Sequence, residues 1–159
     1  MTKLIKKPIF ITITAFVFFL IFSAYSYASS ISSDLSKSVF RLHVIANSDS
    51  DEDQSLKLQV RDKLLDYMNS ITANVSSKDD AIKIAQDHQK DFQIIAEQTI
   101  LDKGYSYPVT VEIGNYEFPT KHYGDITLPS GYYDALRVKI GDACGHNWWC
   151  VMFPPLCFV

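Results

Sequence analysis

The sequence predicts an α+β domain, a mainly antiparallel sheet with two amphipathic helices packed on one face, behind an N-terminal signal peptide or anchor. Three observations support this prediction. Lysines and an apolar run open the chain, two later stretches repeat apolar residues every three to four positions, and alternating runs follow from residue 109. One strand, two helices and then four strands is an order typical of α+β domains.

The N-terminal segment has the pattern of an export signal. Three lysines precede the apolar run 8–22, and Ser26 and Ala28 place small residues at positions −3 and −1 of a cleavage site after Ala28. We therefore predict a signal peptide over residues 1–28. The run reaches about 20 residues if it extends through Tyr27, so an uncleaved anchor is the alternative. The serine-rich residues 29–38 are expected as a spacer, and residues 39–159 as a single globular α+β domain outside the membrane.

The first two elements of the domain are a strand and a helix. Residues 39–45 alternate imperfectly, which is typical of a strand with one buried face. After residue 50 the apolar residues recur every four positions, which predicts an amphipathic helix. Its repeated apolar residues are Leu56, Val60, Leu64 and Met68. Ser50 followed by Asp53 resembles a capping box and marks the start of this helix.

A second helix is predicted from Ser77 to Gly104. Ser77 and Asp80 repeat the capping spacing, an apolar face continues to Ile100, and Gly104 is a typical C-terminal stop. His88 lies on the apolar side, where we expect a packed histidine whose ring is hydrogen-bonded.

Four strands are predicted in the C-terminal half. Residues 109–113 alternate, and Gly114-Asn115 has the composition of a hairpin turn into residues 116–118. A second hairpin is expected from the alternating run 133–140, a turn over 141–147, and the run 148–153. Because residues 148–153 are continuously apolar, they are predicted to form a central strand.

Charge excludes one functional class. Three of the 15 basic residues lie in the first seven positions, so the chain after residue 28 carries 12 basic and 18 acidic residues. No lysine or arginine cluster occurs in that acidic remainder. Nucleic-acid binding, which needs a basic surface, is therefore not expected.

The acidic segment 47–53 allows a calcium hypothesis, because hard cations prefer several oxygen ligands. The EF-hand pattern fails, since Gln54 and Val60 stand where it needs glycine and glutamate. A helix-capping loop is the favoured interpretation. No two of the four histidines have the i, i+4 spacing of a helical metal site, so no metal or other cofactor is expected.

No hydrolase motif of the G-x-S-x-G or S-x-x-K type occurs, and we expect no enzyme and no catalytic residue. A Cys/His enzyme that uses Cys144 or Cys150 with His146 is the alternative, although a mid-strand thiol such as Cys150 is poorly reactive. A disulfide between Cys150 and Cys157 is predicted, with two buried free thiols as the alternative. Cys144 would be left over.

Two blocks of sequence resemble the stage II sporulation protein R family. They are residues 41–62, which begin Arg-Leu-His-Val-Ile-Ala-Asn-Ser-Asp-Ser, and residues 123–158, which include Asn-Trp-Trp-Cys and Pro-Pro-Leu-Cys-Phe. The resemblance implies a protein that is made in the forespore and exported into the space between forespore and mother cell. It further implies that the protein switches on a mother-cell membrane protease that processes the sigma-E precursor.

An activator of this kind must bind the active state of its receptor more tightly than the inactive state. Because aromatic and arginine side chains often dominate interfaces, we expect a receptor-binding patch that combines tryptophans, arginines and the polar loop 47–54. Its candidate residues are Trp148, Trp149, Asn47, Asp49, Asp51, Gln54, Arg41, Arg61 and Arg137.

Alternation along a strand qualifies this hypothesis. One of Trp148 and Trp149 must face the core, and Arg41 and His43 share a side on which they could form an internal polar network. An exported cell-wall or peptide hydrolase is the alternative function.

Overall fold

The computed structural model describes residues 2–156, with side chains described from residue 8 onward except at 28, 29 and 31–34. Contacts divide the chain into two units, Met1–Leu35 and Ser36–Val159. Helix α1 spans Thr2–Ser38, so the predicted spacer 29–38 is helical. Within the described residues, one stretch, Pro8–Tyr27, is long and apolar enough to cross a membrane. Such a helix is compatible with a signal peptide or an anchor.

The second unit is an α+β domain, as predicted. Its elements are β1 (Phe40–Ile45), α2 (Asp51–Ile71), α3 (Lys78–Asp87), α4 (Gln89–Asp102), β2 (Val109–Phe118), β3 (Lys121–Tyr123), β4 (Ile126–Leu128), β5 (Gly131–Ile140) and β6 (Asn147–Phe153). A four-stranded sheet has the order β2-β5-β1-β6, in which only the β1–β5 pair is parallel, and β3 and β4 form a separate hairpin.

The helices cover one face of the sheet. Alternate residues of β1, namely Phe40, Leu42 and Val44, are fully buried in a core that they share with the apolar stripe of α2. Ser50 caps α2 as predicted, because its side chain accepts a hydrogen bond from the backbone N–H of Asp53. The intervening residues of β1 point to the opposite, helix-free face.

The predicted second helix is two helices, and this prediction was wrong at His88. His88 ends α3 and begins α4. Its ring lies within 2.8 Å of the Tyr67 hydroxyl and 2.7 Å of Asp91 Oδ2, and its side chain is 40% exposed. Burial and the Asp91 carboxylate raise the pKa of Tyr67 to about 12. These contacts with α2 and α4 fix the break between the helices.

Both predicted hairpins were also wrong. Gly114 and Asn115 do not turn the chain; β2 runs straight through them and pairs with β5 along its whole length. Strands β5 and β6 follow each other in sequence, but β1 lies between them in the sheet. Consequently β6, predicted as a central strand, is an edge strand.

Candidate functional site

Two loops at one end of the sheet form a single hydrogen-bonded unit, which we call the loop platform (residues 46–54 and 141–146). The backbone N–H groups of Gly145 and Cys144 donate to the carbonyls of Ala46 and Asn47 at 3.0 and 3.2 Å. The N–H of His146 donates to Asp49 Oδ1 at 2.6 Å. The two loops are thus held together mainly through backbone groups.

Two glycines allow this close approach. A Cβ on Gly145 would overlap the Ser48 carbonyl oxygen and lie 2.5 Å from its carbon. A Cβ on Gly141 would overlap the Asn47 side-chain oxygen, and Gly141 also has a positive φ of 58°. The platform therefore depends on glycine at both positions.

Two carboxylates of the platform, those of Asp49 and Asp53, accept internal hydrogen bonds. Asp53 Oδ2 accepts from the Asn47 amide and the Ser48 hydroxyl at 2.8 and 2.6 Å. Burial alone would raise the pKa of Asp53, but these bonds outweigh it and lower the pKa. The backbone N–H of His146 likewise lowers the pKa of Asp49. Ser50 in this segment caps α2 by accepting from the N–H of Asp53, which is the helix-capping role predicted for the loop.

Side chains from α2 continue the platform toward β6. Lys57 Nζ donates to Gln54 Oε1 at 2.5 Å and to the His146 carbonyl at 3.0 Å. One turn further along α2, the Arg61 guanidinium lies 4.2 Å from the centre of the Trp148 ring. This distance is typical of a cation–π contact. Trp148 is therefore half-buried beside α2.

The helix-free face carries a buried cation among aromatic rings. Arg41 is fully buried, and its guanidinium lies 4.1 Å from the ring of Phe118 and 4.7 Å from that of Tyr133. Its Nη2 donates to the Tyr123 hydroxyl at 2.7 Å, whereas Nε and Nη1 have no hydrogen-bond partner among the described residues. Burial lowers the pKa of Arg41.

His43 lies beside this cation on the same face. Its ring stacks on Trp149 with 3.7 Å between ring centres, and its Nε2 donates to Asn147 Oδ1 at 2.7 Å. Burial is the main cause that lowers the pKa of His43 to about 4. His43 is therefore neutral at pH 7, and its Nδ1 has no hydrogen-bond partner in the part of the chain that the structure describes.

A cleft of about 770 Å³ opens between the β3–β4 hairpin and β6. It is lined by residues 121–126 of the hairpin, residues 147–149 of β6, and Leu156. The Tyr123 hydroxyl crosses the gap and donates to the carbonyl of Trp149 at 3.1 Å. The Tyr123 side chain thus links the hairpin to the sheet edge.

The structure separates the candidate receptor-binding residues into three places. The platform holds Asn47, Asp49, Gln54 and Asp51, which is exposed on the first turn of α2. The helix side of the sheet holds Trp148 and Arg61. The helix-free face holds Trp149, Arg41 and Arg137. Arg41 is fully buried and so belongs to the internal network that was its alternative interpretation.

The two cysteines that the structure describes differ in their bonding. Cys150 is disulfide-bonded, and Cys144 is an exposed free thiol. The predicted partner of Cys150, Cys157, lies outside the described residues, so that pairing stays a prediction.

Sequence reasoning missed Lys57 and Tyr123 as parts of these surfaces. Lys57 sits one position past the apolar repeat residue Leu56, and a lysine there is usually solvated. Tyr123 belongs to a strand of only three residues, which is too short for a periodic signal. In contrast, Gly141 and Gly145 in one short turn were a usable signal for close backbone approach.

The fold and this site define a small α+β domain behind an N-terminal apolar helix, with a fixed polar loop surface. Residues 36–159 match the family model described as Stage II sporulation protein R, and the chain belongs to that family. Stage II sporulation protein R of Bacillus subtilis (strain 168) is 37% identical over 119 residues, which cover 75% of this chain and 53% of that protein. The chain thus spans about half the length of this relative. No solved structure matches it.

Proposed function

We propose that this protein is an exported sporulation signal that activates, by binding, a mother-cell membrane protease that processes the sigma-E precursor. Family membership supports the role in sporulation. The apolar segment Pro8–Tyr27 is compatible with a signal peptide or an anchor and so supports export, with or without a retained anchor. The observation that carries the binding mode is the loop platform, in which backbone N–H groups of residues 144–146 donate to the carbonyls of Ala46 and Asn47 and to the Asp49 carboxylate.

A fixed surface suits an activator for a thermodynamic reason. Binding shifts a receptor equilibrium only by the difference in affinity between its two states. A loop that is already ordered loses little conformational entropy on binding, so more of the contact energy remains for discrimination. The exposed carboxylate and imidazole of Asp49 and His146 are then the polar groups presented to the receptor.

One observation favours the hydrolase alternative. His146 Nδ1 donates to Asp49 Oδ1, an arrangement that orients the imidazole of a general base, and Cys144 lies two residues away in sequence. The Cys144 thiol, however, donates to the carbonyl of Asp142 at 3.3 Å. Cys150 is disulfide-bonded and so supplies no nucleophile.

The test is processing of the sigma-E precursor in cells that make the candidate protease and export this chain. Asp49→Arg reverses a charge on the platform and is expected to reduce processing at least tenfold. Asp66→Arg makes the same change on the exposed side of α2, outside the platform, and should process like the parent. Equal processing by both variants would contradict a receptor contact at the platform.

A second substitution separates binding from catalysis. Cys144→Ala removes the only free thiol among the described residues and is expected to leave processing unchanged. Loss of processing with Cys144→Ala in a folded protein would instead support the hydrolase.

A further inference from the structure

The two edges of the four-stranded sheet differ in how their backbone groups are covered. On β6, the carbonyls of Trp149 and Val151 accept hydrogen bonds from the Tyr123 hydroxyl and the Leu156 N–H. On β2, at the other edge, all ten residues pair with β5, and no second strand lies beside them among the described residues. The outer side of β2 is therefore the edge where a further strand could pair.

The backbone of β2 points alternately toward β5 and away from it. The N–H of Gly141 donates to the carbonyl of Pro108 at 2.9 Å, which continues the β2–β5 pairing by one pair. Even-numbered residues of this stretch thus point their N–H and C=O groups toward β5. The carbonyl of Val111 instead accepts from the Gln89 side chain at 2.8 Å, as expected if odd-numbered residues point outward.

Three outward-pointing residues, which we call the outer triplet, follow Val111. They are Ile113, Asn115 and Glu117. Within the part of the chain that the structure describes, no hydrogen bond reaches their backbone N–H and C=O groups. β2 also lacks the usual protection of an edge strand, because it contains no proline or lysine and its pairing shows no bulge. The outer triplet therefore offers three backbone donors and three acceptors in one row.

We propose that the outer triplet binds the same residues of a second copy of the chain, with the two β2 strands antiparallel. The pattern favours a second copy as the occupant, because its edge has the same spacing of donors and acceptors. Antiparallel strands related by a two-fold axis are self-complementary, and such isologous contacts form the commonest oligomers. The proposal concerns assembly and does not rest on the proposed function.

One register satisfies every backbone group of the outer triplet. With Asn115 on the two-fold axis, Ile113 lies opposite the partner's Glu117, and each facing pair exchanges both of its hydrogen bonds. A shift by two residues in one direction places Glu117 opposite the partner's Val111, whose carbonyl already accepts a side-chain hydrogen bond. A shift in the other direction places Ile113 opposite the partner's Pro119, which has no N–H. The register centred on Asn115 is therefore the favoured one.

The charges of β2 are compatible with this register. Glu117 faces the partner's Ile113 rather than another acid. Glu112, the other acid of β2, lies opposite the partner's Phe118 and is already paired with two basic side chains of β5. Like charges, which would destabilise a strand pair, are therefore not directly opposite one another. The sheets of the two copies would join into one continuous sheet.

The experiment measures amide hydrogen exchange of the full chain in detergent micelles by NMR, at a fixed molar excess of micelles over chain. Because the copies share one strand pair, the association is expected to be weak, and the chain concentration is varied from about 20 µM to about 1 mM. We expect exchange at the outer triplet to slow about tenfold over this range. The inward amides of Gly114 and Tyr116 already bond to β5 and are the internal control, with less than about a twofold change.

Two outcomes of this measurement contradict the proposal. Unchanged exchange at the outer triplet would overturn it and leave this edge to a strand of another protein. Association that slows exchange elsewhere, but not at the outer triplet, would assign the contact to another surface such as α1 and would also overturn it.

A matched pair of lysine substitutions tests the pairing by charge. Asn115→Lys would place two ammonium groups opposite each other on the two-fold axis, and edge lysines are a means by which natural sheets avoid pairing. Thr110→Lys adds the same charge at another exposed position of β2, outside the outer triplet. We expect Asn115→Lys to return exchange at Ile113 and Glu117 to its dilute value, whereas Thr110→Lys keeps the concentration dependence of the parent. Equal effects of the two substitutions would overturn the proposal.

A cross-linking test examines the register. Chains that carry Cys144→Ala, and so lack the exposed free thiol, receive either Ile113→Cys or Glu117→Cys and are mixed and mildly oxidised. Facing hydrogen-bonded residues have Cα atoms about 5.5 Å apart, within the range that a disulfide spans. Two copies of the same variant would hold these cysteines about 13 Å apart, four residues along the strand. We expect a disulfide-linked dimer from the mixture and roughly fivefold less from either variant alone. Equal yields, or no dimer, would overturn the paired arrangement.

Discussion

Replacing Gly145 by alanine should destabilise the domain through the loop platform alone. The added methyl group would overlap the backbone of Ser48 and lie 3.0 Å from Ala46 Cβ, so the two loops must separate. Separation breaks the hydrogen bonds from the backbone N–H groups of residues 144, 145 and 146. At about 1 kcal/mol each, the loss is about 3 kcal/mol, a large part of the roughly 5–15 kcal/mol that holds a typical domain folded.

The assay is urea unfolding of residues 29–159, which contain the whole hydrophobic core. With a slope of about 1.5 kcal/mol per molar urea, the midpoint should fall by about 2 M. Gly124→Ala is the control, because Gly124 has a φ of +58° but nothing within 4 Å of an added Cβ. Its cost is the left-handed backbone alone, about 1 kcal/mol. A midpoint for Gly145→Ala at or above that of Gly124→Ala would refute the reasoning.

Two further predictions concern the helix-free face. Because the pKa of His43 is lowered to about 4 in the folded state and is near 6.5 when unfolded, stability should fall by up to about 3 kcal/mol as pH drops from 6.5 to 4. Urea midpoints across this range should show the fall, and a slope in His43→Gln as steep as that of the parent would contradict it. Arg41→Met should unfold within about 1 kcal/mol of the parent or be more stable, because it keeps the volume and removes a buried charge that has no carboxylate partner among the described residues. Arg41→Ala should lose about 3 kcal/mol. Equal losses in both Arg41 variants, measured by the same unfolding assay, would show that the guanidinium itself is stabilising.

Elements with strong local signals were predictable from the sequence. The start of α2 was predictable because the Ser50 side chain caps the helix by accepting from the N–H of Asp53, three residues later. The buried face of α2 was predictable from the spacing of Leu56, Val60 and Leu64. Both are decided within one or two helical turns. The fold class follows from the same local patterns, because an amphipathic helix and a half-buried strand each need a partner to cover the apolar side.

Strand pairing was not predictable in the same way, because it is decided by residues far apart in sequence. Gly114-Asn115 has turn composition, yet ten consecutive pairs with β5 keep this stretch extended. The glycine serves another purpose there, since a Cβ on Gly114 would lie 3.1 Å from the Tyr116 hydroxyl oxygen. Likewise, no local pattern shows that β1, some ninety residues earlier in the chain, lies between β5 and β6.

The same long-range pairing decides how the two tryptophans can act. Strand alternation sends Trp148 to the helix side, under Arg61, and Trp149 to the helix-free face, against His43. A single flat receptor surface therefore cannot use both rings in the same way. Alanine at Trp148 disturbs the extension of the platform along α2, whereas alanine at Trp149 disturbs the floor of the cleft. Because these surfaces lie on opposite sides of one edge strand, a partner that contacts both must wrap around β6.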